Sequence, residues 1–472
     1  MNRKVKNVLA ILLVMLCCLQ LASCGASNKK AQQVPPMEAE EAASYSFAFI
    51  GGDDVMPIMG YFGPHGGPYS YNGNKLPDLF SDEMFQLYAN VGINMISHND
   101  NDYDVYPSVV KRLLEQGEKY NIGIQVYDKR LTGKEGAQLS LEAIDAILNE
   151  YANYPAYCGN YIIDEPGQEG YMLDTLNGTS IADVAPIFQK FNELGFYGYG
   201  NLLPLLSDKT DKYQAYIDEY LETCNPPYLQ YDMYPFQNET DYGNVGRYFK
   251  NLTTIKASAE AHDIPFWGFI QIGSQYNDAG NHFDTNGYYP TKGQTYWNVG
   301  MLLAFGAKGI HYFTLIQPHW FAYAKTEPFD FQRNGLIGAW GNKTRWYYYA
   351  QDINKQIAAV DEVLMNSVSK GVIATSERIR SDIGECQFVL DGTSWRELKN
   401  VSGEALIGCF NYQGKTALYV VNYDIEYAQK IQLEFLDEYT VTVTQNAETA
   451  SYTAEELELV LSAGNGALIV FE

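Results

Sequence analysis

The fold class predicted by the sequence is a (β/α)8 barrel followed by a small antiparallel β-sandwich. Between about residue 55 and residue 368, eight short apolar runs alternate with amphipathic helical stretches, which is the pattern of βαβ units and a parallel sheet. Eight such units in roughly 300 residues are what a closed barrel requires. After Gly371 the helical spacing stops and β-like runs follow one another.

The apolar runs are Val55–Tyr61, Ile93–His98, Ile122–Tyr127, Tyr157–Asp164, Phe196–Leu203, Tyr228–Tyr234, Phe266–Ile272 and Gly309–Leu315. Helical spacing fills the intervals at Asp82–Asn90, Pro107–Tyr120, Leu141–Tyr151, Ile181–Leu194, Lys212–Thr223, Tyr248–His262 and Gln294–Phe305, and again at Thr344–Leu364. Gly92, Gly123, Gly195, Pro265 and Gly309 stand where helices must stop before a strand begins. A doubly wound open sheet would carry a glycine-rich phosphate turn after an early strand, and the sequence has none. The later runs are Ala405–Phe410, Thr416–Tyr423, Lys430–Phe435, Tyr439–Thr444, Leu457–Leu461 and Ala467–Phe471. Residues 44–370 are therefore expected to form the barrel and residues 371–472 the β-sandwich.

The N-terminus lies outside this scheme. Arg3, Lys4 and Lys6 precede an apolar run, Val8–Leu21, that is too short for a comfortable membrane span and reads as a secretory signal. It ends in Leu21-Ala22-Ser23-Cys24-Gly25, which resembles the lipobox of bacterial lipoproteins. That resemblance implies a signal over residues 1–24, lipidation of Cys24, and export to the cell envelope with stable membrane anchoring. Residues 25–43 are polar and rich in small residues, as in a flexible tether.

A net charge of −25 argues against nucleic acid or anionic polysaccharide as the main ligand, because like charges repel. Cys158, Cys224, Cys386 and Cys409 are scattered without CxxC spacing, so neither a disulfide framework nor a zinc site is expected. No DxDxDG loop occurs, and no metal or cofactor is expected. The 39 tyrosines matter more: an aromatic face stacks on the C–H face of a sugar, and the hydroxyl adds a hydrogen bond.

In such a barrel, chemistry comes from the C-terminal ends of the strands. The second run ends in Ser97-His98-Asn99-Asp100, the third in Tyr127-Asp128 and the fourth in Asp164-Glu165-Pro166. The fifth gives Asn201, the sixth Asp232-Met233-Tyr234, the seventh Gln271 and the eighth His311-Tyr312-Phe313-Thr314. His98, Asn99, Asp128, Asn201, Tyr234 and Gln271 are candidate sugar-binding groups, with Trp320 a stacking candidate in the long segment after the eighth run. Asp164-Glu165 carries the most weight. Two adjacent carboxylates in a partly dry site cannot both ionise freely, so one is pushed towards acting as a general acid.

This layout resembles the large clan of (β/α)8 glycoside hydrolases whose acid/base glutamate ends the fourth strand. The resemblance implies Glu165 as acid/base, with Asp164 where the clan has asparagine. Gly306–Phe313, Asn334–Ile337, Trp346–Tyr348 and Ala463–Ala467 also resemble late-barrel and C-terminal regions of such enzymes. One departure is marked: the clan's nucleophile is a glutamate ending the seventh strand, and here that place holds Gln271. Four explanations stand open. Asp232 supplies the second carboxylate; or Asp164 and Glu165 work as in substrate-assisted hexosaminidases; or Glu327 or Asp330 reaches in; or the site binds sugar without cleaving it.

The expected function is hydrolysis of glycosidic bonds in an oligo- or polysaccharide at the envelope, with Glu165, Asp164 and Asp232 as the catalytic candidates. The alternative is a non-catalytic, surface glycan-binding lipoprotein. A purely structural envelope protein would leave the polar strand ends unexplained.

Overall fold

The computed structural model describes residues 34–45, 47–66, 69–71, 74–97, 107–168, 178–205, 210–236, 245–272, 289–317 and 335–472. Eight parallel strands form the barrel: β1 (Ile58–Gly60), β2 (Met95–Ser97), β3 (Gly123–Val126), β4 (Tyr157–Asp164), β5 (Gly198–Asn201), β6 (Leu229–Tyr231), β7 (Phe266–Gln271) and β8 (Gly309–Phe313). Their order is β5-β4-β3-β2-β1-β8-β7-β6. A bridge from Leu202 to Tyr231 brings the two ends together, with the Leu202 N–H donating to the Gln230 carbonyl at 3.2 Å. A short hairpin, Tyr69–Tyr71 with Asn74–Leu76, rises from the loop after β1.

Eight helices connect and flank the strands: α1 (Asp82–Asn90), α2 (Pro107–Tyr120), α3 (Leu141–Leu148), α4 (Ile181–Leu194), α5 (Thr210–Cys224), α6 (Val245–Ala261), α7 (Lys292–Ala304) and α8 (Arg345–Ile357). Their ends follow local chemistry. Ser180 and Asp183 cap α4 reciprocally, and Gly195 ends that helix in the left-handed region at φ 76°. The expected helix Thr344–Leu364 is broken into α8 and a short helix at Asp361–Met365. Short helices at Gly133–Ala137 and Glu377–Ile383 add to the expected set, the latter past Gly371, where helical spacing was expected to stop. Among the described residues, no helix is long and apolar enough to cross a membrane.

Side chains pointing into the barrel follow the two-residue period of its strands. Met59, His311 and Phe269 share one register across β1, β8 and β7. With Tyr61, Met95, Tyr161, Tyr199, Tyr228 and Trp267 they fill the lumen. Trp267 is fully buried and stacks on Tyr228 at 4.0 Å between ring centroids.

The floor of the barrel comes from an unexpected source. Phe47 and Phe49 pack into the same cluster from the N-terminal side, and the Tyr45 hydroxyl accepts from the Trp267 indole at 2.7 Å. Upstream, the chain lies along the C-terminal domain: the Met37 N–H donates to the Gly414 carbonyl at 3.2 Å, Asn411 Nδ2 donates to the Glu38 carbonyl at 2.8 Å, and Lys370 pairs with Glu40 at 2.6 Å. Residues 34–43 are thus a strap rather than a free tether. Their polar composition hid this, because they are held by backbone and charged contacts instead of apolar burial. Residues 1–33, with the signal and Cys24, lie outside the described residues.

The C-terminal domain has seven antiparallel strands: β9 (Ser367–Ala374), β10 (Leu398–Ser402), β11 (Ala405–Tyr412), β12 (Lys415–Asn422), β13 (Gln429–Gln445), β14 (Glu448–Leu461) and β15 (Gly466–Phe471). The sequence runs Lys430–Phe435 and Tyr439–Thr444 are one strand, β13, with an irregularity between Glu434 and Tyr439 in its pairing with β14. Before that point β13 pairs with β10, and after it with β15, so one long strand joins the two halves of a single seven-stranded sheet. This domain has its own apolar core, which includes Ile407, Leu418, Ile431, Leu433 and Ile469. Helix α7, buried from Gly293 to Ala304, packs on both β7 and this domain. Gly293 permits the approach, since a Cβ there would sit 2.1 Å from the Ile425 carbonyl oxygen.

Candidate active site

Strand β4 delivers the central carboxylates, and it is not a regular strand. Its pairing with β3 shifts between Ile124 and Val126, and its pairing with β5 shifts between Tyr161 and Ile163. Irregularities of this kind re-aim side chains. On an ideal strand Tyr161 and Asp164 would face opposite sides, yet here the Tyr161 hydroxyl donates to Asp164 Oδ1 at 2.9 Å. The next residue, Glu165, adopts the left-handed region at φ 46°, and its N–H donates to the Asn201 carbonyl at 2.9 Å. A non-glycine residue in that region is strained, and such strain gathers at functional positions.

Asp164 is held on several sides. Besides Tyr161, Asn201 Nδ2 donates to Oδ1 at 3.2 Å, and the Tyr61 and Tyr161 hydroxyls lie 2.7 Å apart beneath it. Asp164 keeps exposed surface. Even so, the surrounding barrel wall makes desolvation the largest influence on it and raises its pKa, while hydrogen bonds from Tyr161, Asn201 and Tyr61 pull the other way.

Glu165 receives no such support. Burial raises its carboxyl first, the charges of Asp232 and Asp164 add to that, and so does its hydrogen bond to Asp232. Asp232, just past β6, is also raised by burial and by Asp164, while the hydrogen bond with Glu165 favours its charged form. The pair therefore behaves as a protonated Glu165 donating to an Asp232 carboxylate, because two close carboxylates cannot both ionise in a partly dry site.

Tyr234 and Asn201 complete the group. The Tyr234 hydroxyl is buried without a partner among the described residues, as are Asn201 Oδ1 and Asp232 Oδ1. The charges of Asp232, Glu165 and Asp164 all act on Tyr234, so it faces the same space. Beneath, His311 stacks on Phe269 at 4.5 Å between centroids, and burial holds its imidazole well below its ordinary range, so it is neutral. Among the described residues, no group of three His, Cys, Asp or Glu side chains is arranged to hold a metal ion.

Of the residues picked from sequence, Asp164, Glu165, Asn201, Asp232 and Tyr234 come together. Two others do not join them. Gln271 is 1% exposed, and its whole amide is spent on one backbone unit: Nε2 donates to the Phe236 carbonyl at 2.9 Å and Oε1 accepts from the Phe236 N–H at 3.0 Å. It braces the loop carrying Asp232 and Tyr234 instead of meeting a ligand. Asp128 is likewise 1% exposed. Its Oδ2 accepts from Arg130 at 2.7 Å and from the Tyr151 hydroxyl at 3.2 Å, while Oδ1 caps the turn at the Arg130 N–H at 3.0 Å. Both are structural. His98, Asn99, Trp320, Glu327 and Asp330 lie outside the described residues. Sequence reading passed over the roles of Tyr61 and Tyr161, since the irregularity that turns Tyr161 towards Asp164 has no signal in residue spacing.

Neither a protein-family model nor a curated protein matches the chain. Solved structures do resemble it. A GH42 β-galactosidase from G. stearothermophilus aligns with a TM-score of 0.55 at 8% identity, over 92% of this chain and all of that one. An α-L-fucosidase isoenzyme from Paenibacillus thiaminolyticus aligns with a TM-score of 0.50 at 8% identity, over 89% of this chain and all of that one. At such identities the likeness establishes the fold, a (β/α)8 barrel with an appended antiparallel β-domain.

Proposed function

We propose that the protein hydrolyses glycosidic bonds, with Glu165 as the general acid. The observation carrying this is the division of labour among three carboxylates in one barrel mouth. Glu165 keeps its proton through burial and its neighbours' charge, whereas Asp164 accepts hydrogen bonds that favour its anion. Glu165 then protonates the departing glycosidic oxygen, and Asp164 stabilises positive charge developing at the anomeric carbon. Tyr234 and Asn201 offer unspent hydrogen-bonding atoms to the sugar hydroxyls.

Asp232 fits a different task from that of a second, opposed carboxylate. Asp232 acts on Glu165 itself, raising its carboxyl by charge and by hydrogen bonding. Asp232 accordingly tunes the acid. With Gln271 spent on Phe236, attack falls to a group of the substrate itself, to water, or directly to Asp164. That the solved structures of similar fold include a β-galactosidase and a fucosidase supports the class without choosing the sugar.

We place the enzyme on the cell envelope, anchored through lipidated Cys24 upstream of the strap at residues 34–43. The sequence Leu21–Gly25 supports this. A Cys24→Ser protein that stays in the membrane fraction removes the anchoring.

The test of function is release of reducing sugar from a panel of aryl glycosides and glycans, N-acetylhexosaminides included. Wild type should cleave at least one, and Glu165→Gln should cleave it roughly 100- to 10,000-fold more slowly. If both proteins bind one glycan equally and neither cleaves any, the non-catalytic glycan-binding reading replaces this one. The missing strand-seven carboxylate is what keeps that reading in play.

A further inference from the structure

The lumen beneath the mouth holds a feature that neither sugar binding nor packing requires. Tyr61, just past β1, and Tyr161, on β4, are both buried, and their hydroxyls meet at 2.7 Å across the inside of the barrel. Tyr161 donates its proton to Asp164 Oδ1. Since that proton is committed upward, Tyr61 must be the donor in the contact between the two hydroxyls. The result is a directed chain from Tyr61 to Tyr161 to Asp164. A phenylalanine at either place would fill the same volume and leave the packing of Phe269 and His311 around Tyr61 in place.

We propose that Tyr161 and Tyr61 are positioning residues whose hydroxyl chain keeps Asp164 the ionised carboxylate of the mouth and fixes its orientation, while the proton stays on Glu165. The inference rests on the reading of Glu165 as acid for its catalytic meaning, but not for its structural content. The groups facing Asp164 are Glu165 just past β4, Asp232 and Tyr234 from the segment after β6, Asn201 from β5 and Tyr61 from beyond β1. His311 of β8 lies under Tyr61. No described lysine or arginine is among the groups acting on Asp164. With anions on one side and no cation to offset them, hydrogen bonds are the means available to hold its charge. The bond from Tyr161, backed by Tyr61, favours the anion, against the desolvation that opposes it. Both hydroxyls are themselves held well above the usual phenol range, by burial first, so they remain protonated donors wherever the carboxylates titrate.

The test is a pH titration of the full-length protein labelled with carbon-13 at the aspartate Cγ, the Asp164 signal being identified by its loss in Asp164→Asn. Removing a hydrogen bond to a charged acceptor should raise the Asp164 midpoint by about one pH unit in Tyr161→Phe. Tyr61→Phe should raise it by less, because its hydroxyl acts mainly through Tyr161. An unchanged midpoint in a folded Tyr161→Phe protein overturns the proposal; if that variant does not fold, Tyr61→Phe decides by the same criterion. The titration needs no substrate. A protein that cleaves no glycoside therefore ends the hydrolase reading without touching this one, and an unchanged midpoint in an active enzyme does the reverse.

Discussion

Glu165 and Asp232 are hydrogen-bonded carboxyls brought together from the ends of β4 and the segment after β6, with β5 between them. The same Glu165 takes a left-handed backbone and donates its N–H to the intervening strand at Asn201. The contact thus depends on how three strands end relative to one another. Two consequences concern the proton these carboxyls share.

Stability should depend on pH through Glu165, whose carboxyl is raised by burial, then by Asp232 and Asp164. An acid raised in the folded state binds its proton more tightly there than in the unfolded chain. Its contribution is therefore full below the ordinary value of 4.5 and is lost as pH climbs through the higher folded value. Glu165→Gln removes that dependence. Its Tm relative to wild type should rise steadily from about pH 4.5 past neutrality; a flat difference across that range would contradict the raised carboxyl.

Asp232→Asn should shift the pH profile of the reaction rather than abolish it. Losing the Asp232 charge lowers the Glu165 pKa, so kcat/KM falls more at pH 7 than at pH 5 and the alkaline limb moves to lower pH. The loss near neutrality should be roughly 10- to 100-fold, a modest share of a general acid's contribution. A uniform loss over all pH values would instead mark Asp232 as a group that reacts.

Gln271 invites a misleading experiment. Installing the clan's carboxylate by Gln271→Glu should not create a nucleophile, because the side chain faces the Phe236 backbone. An ionised glutamate has no N–H for the Phe236 carbonyl, and Gln271→Ala loses both contacts. Each substitution should lower stability to urea by about 2–4 kcal/mol, the cost of leaving buried polar groups unpaired. The loop bearing Asp232 and Tyr234 should loosen with it, and activity should fall in parallel.

The N-terminal strap makes the choice of truncation consequential. A protein starting at residue 34 retains the contacts to Gly414, Asn411 and Lys370, and should melt as the full chain does. Phe47→Ala opens the barrel floor beside Tyr199 and Tyr228 and should cost about 3 kcal/mol in denaturant unfolding. An unaltered midpoint for Phe47→Ala would mean the floor is not part of the cooperative core.

The amphipathic helices were legible because each buries one face, and the barrel strands because they are short apolar runs buried throughout. Burial imposes both patterns, and Tyr157–Asp164, Asp82–Asn90, Pro107–Tyr120 and Ile181–Leu194 fall where the spacing puts them. Strands β9 and β10 were not separated out, their half-buried polar residues Ser369 and Lys370 and exposed Lys399 and Asn400 diluting the pattern. The adjacent carboxylates and Tyr234, just past β6, were legible too, as polar residues at strand ends. Asp128 and Gln271 had the same standing in sequence as Asn201 and Tyr234. What separates them is the partner each finds, Arg130 and Tyr151 for one and Phe236 for the other.

The sequence by itself determined the alternation, the end of the barrel where polar groups gather, and the candidacy of Glu165. These follow from local periodicity and from the rule that chemistry sits at the C-terminal ends of parallel strands. Tertiary structure decided which candidates share a space. It turned Tyr161 towards Asp164 through a strand irregularity, set Asp232 against Glu165, spent Gln271 on a loop, and made a polar leader into the strap that leads to the barrel floor. The physical reason is that hydrogen bonds and desolvation depend on atoms a few ångströms apart, and those atoms come from residues up to a few hundred positions apart in the chain.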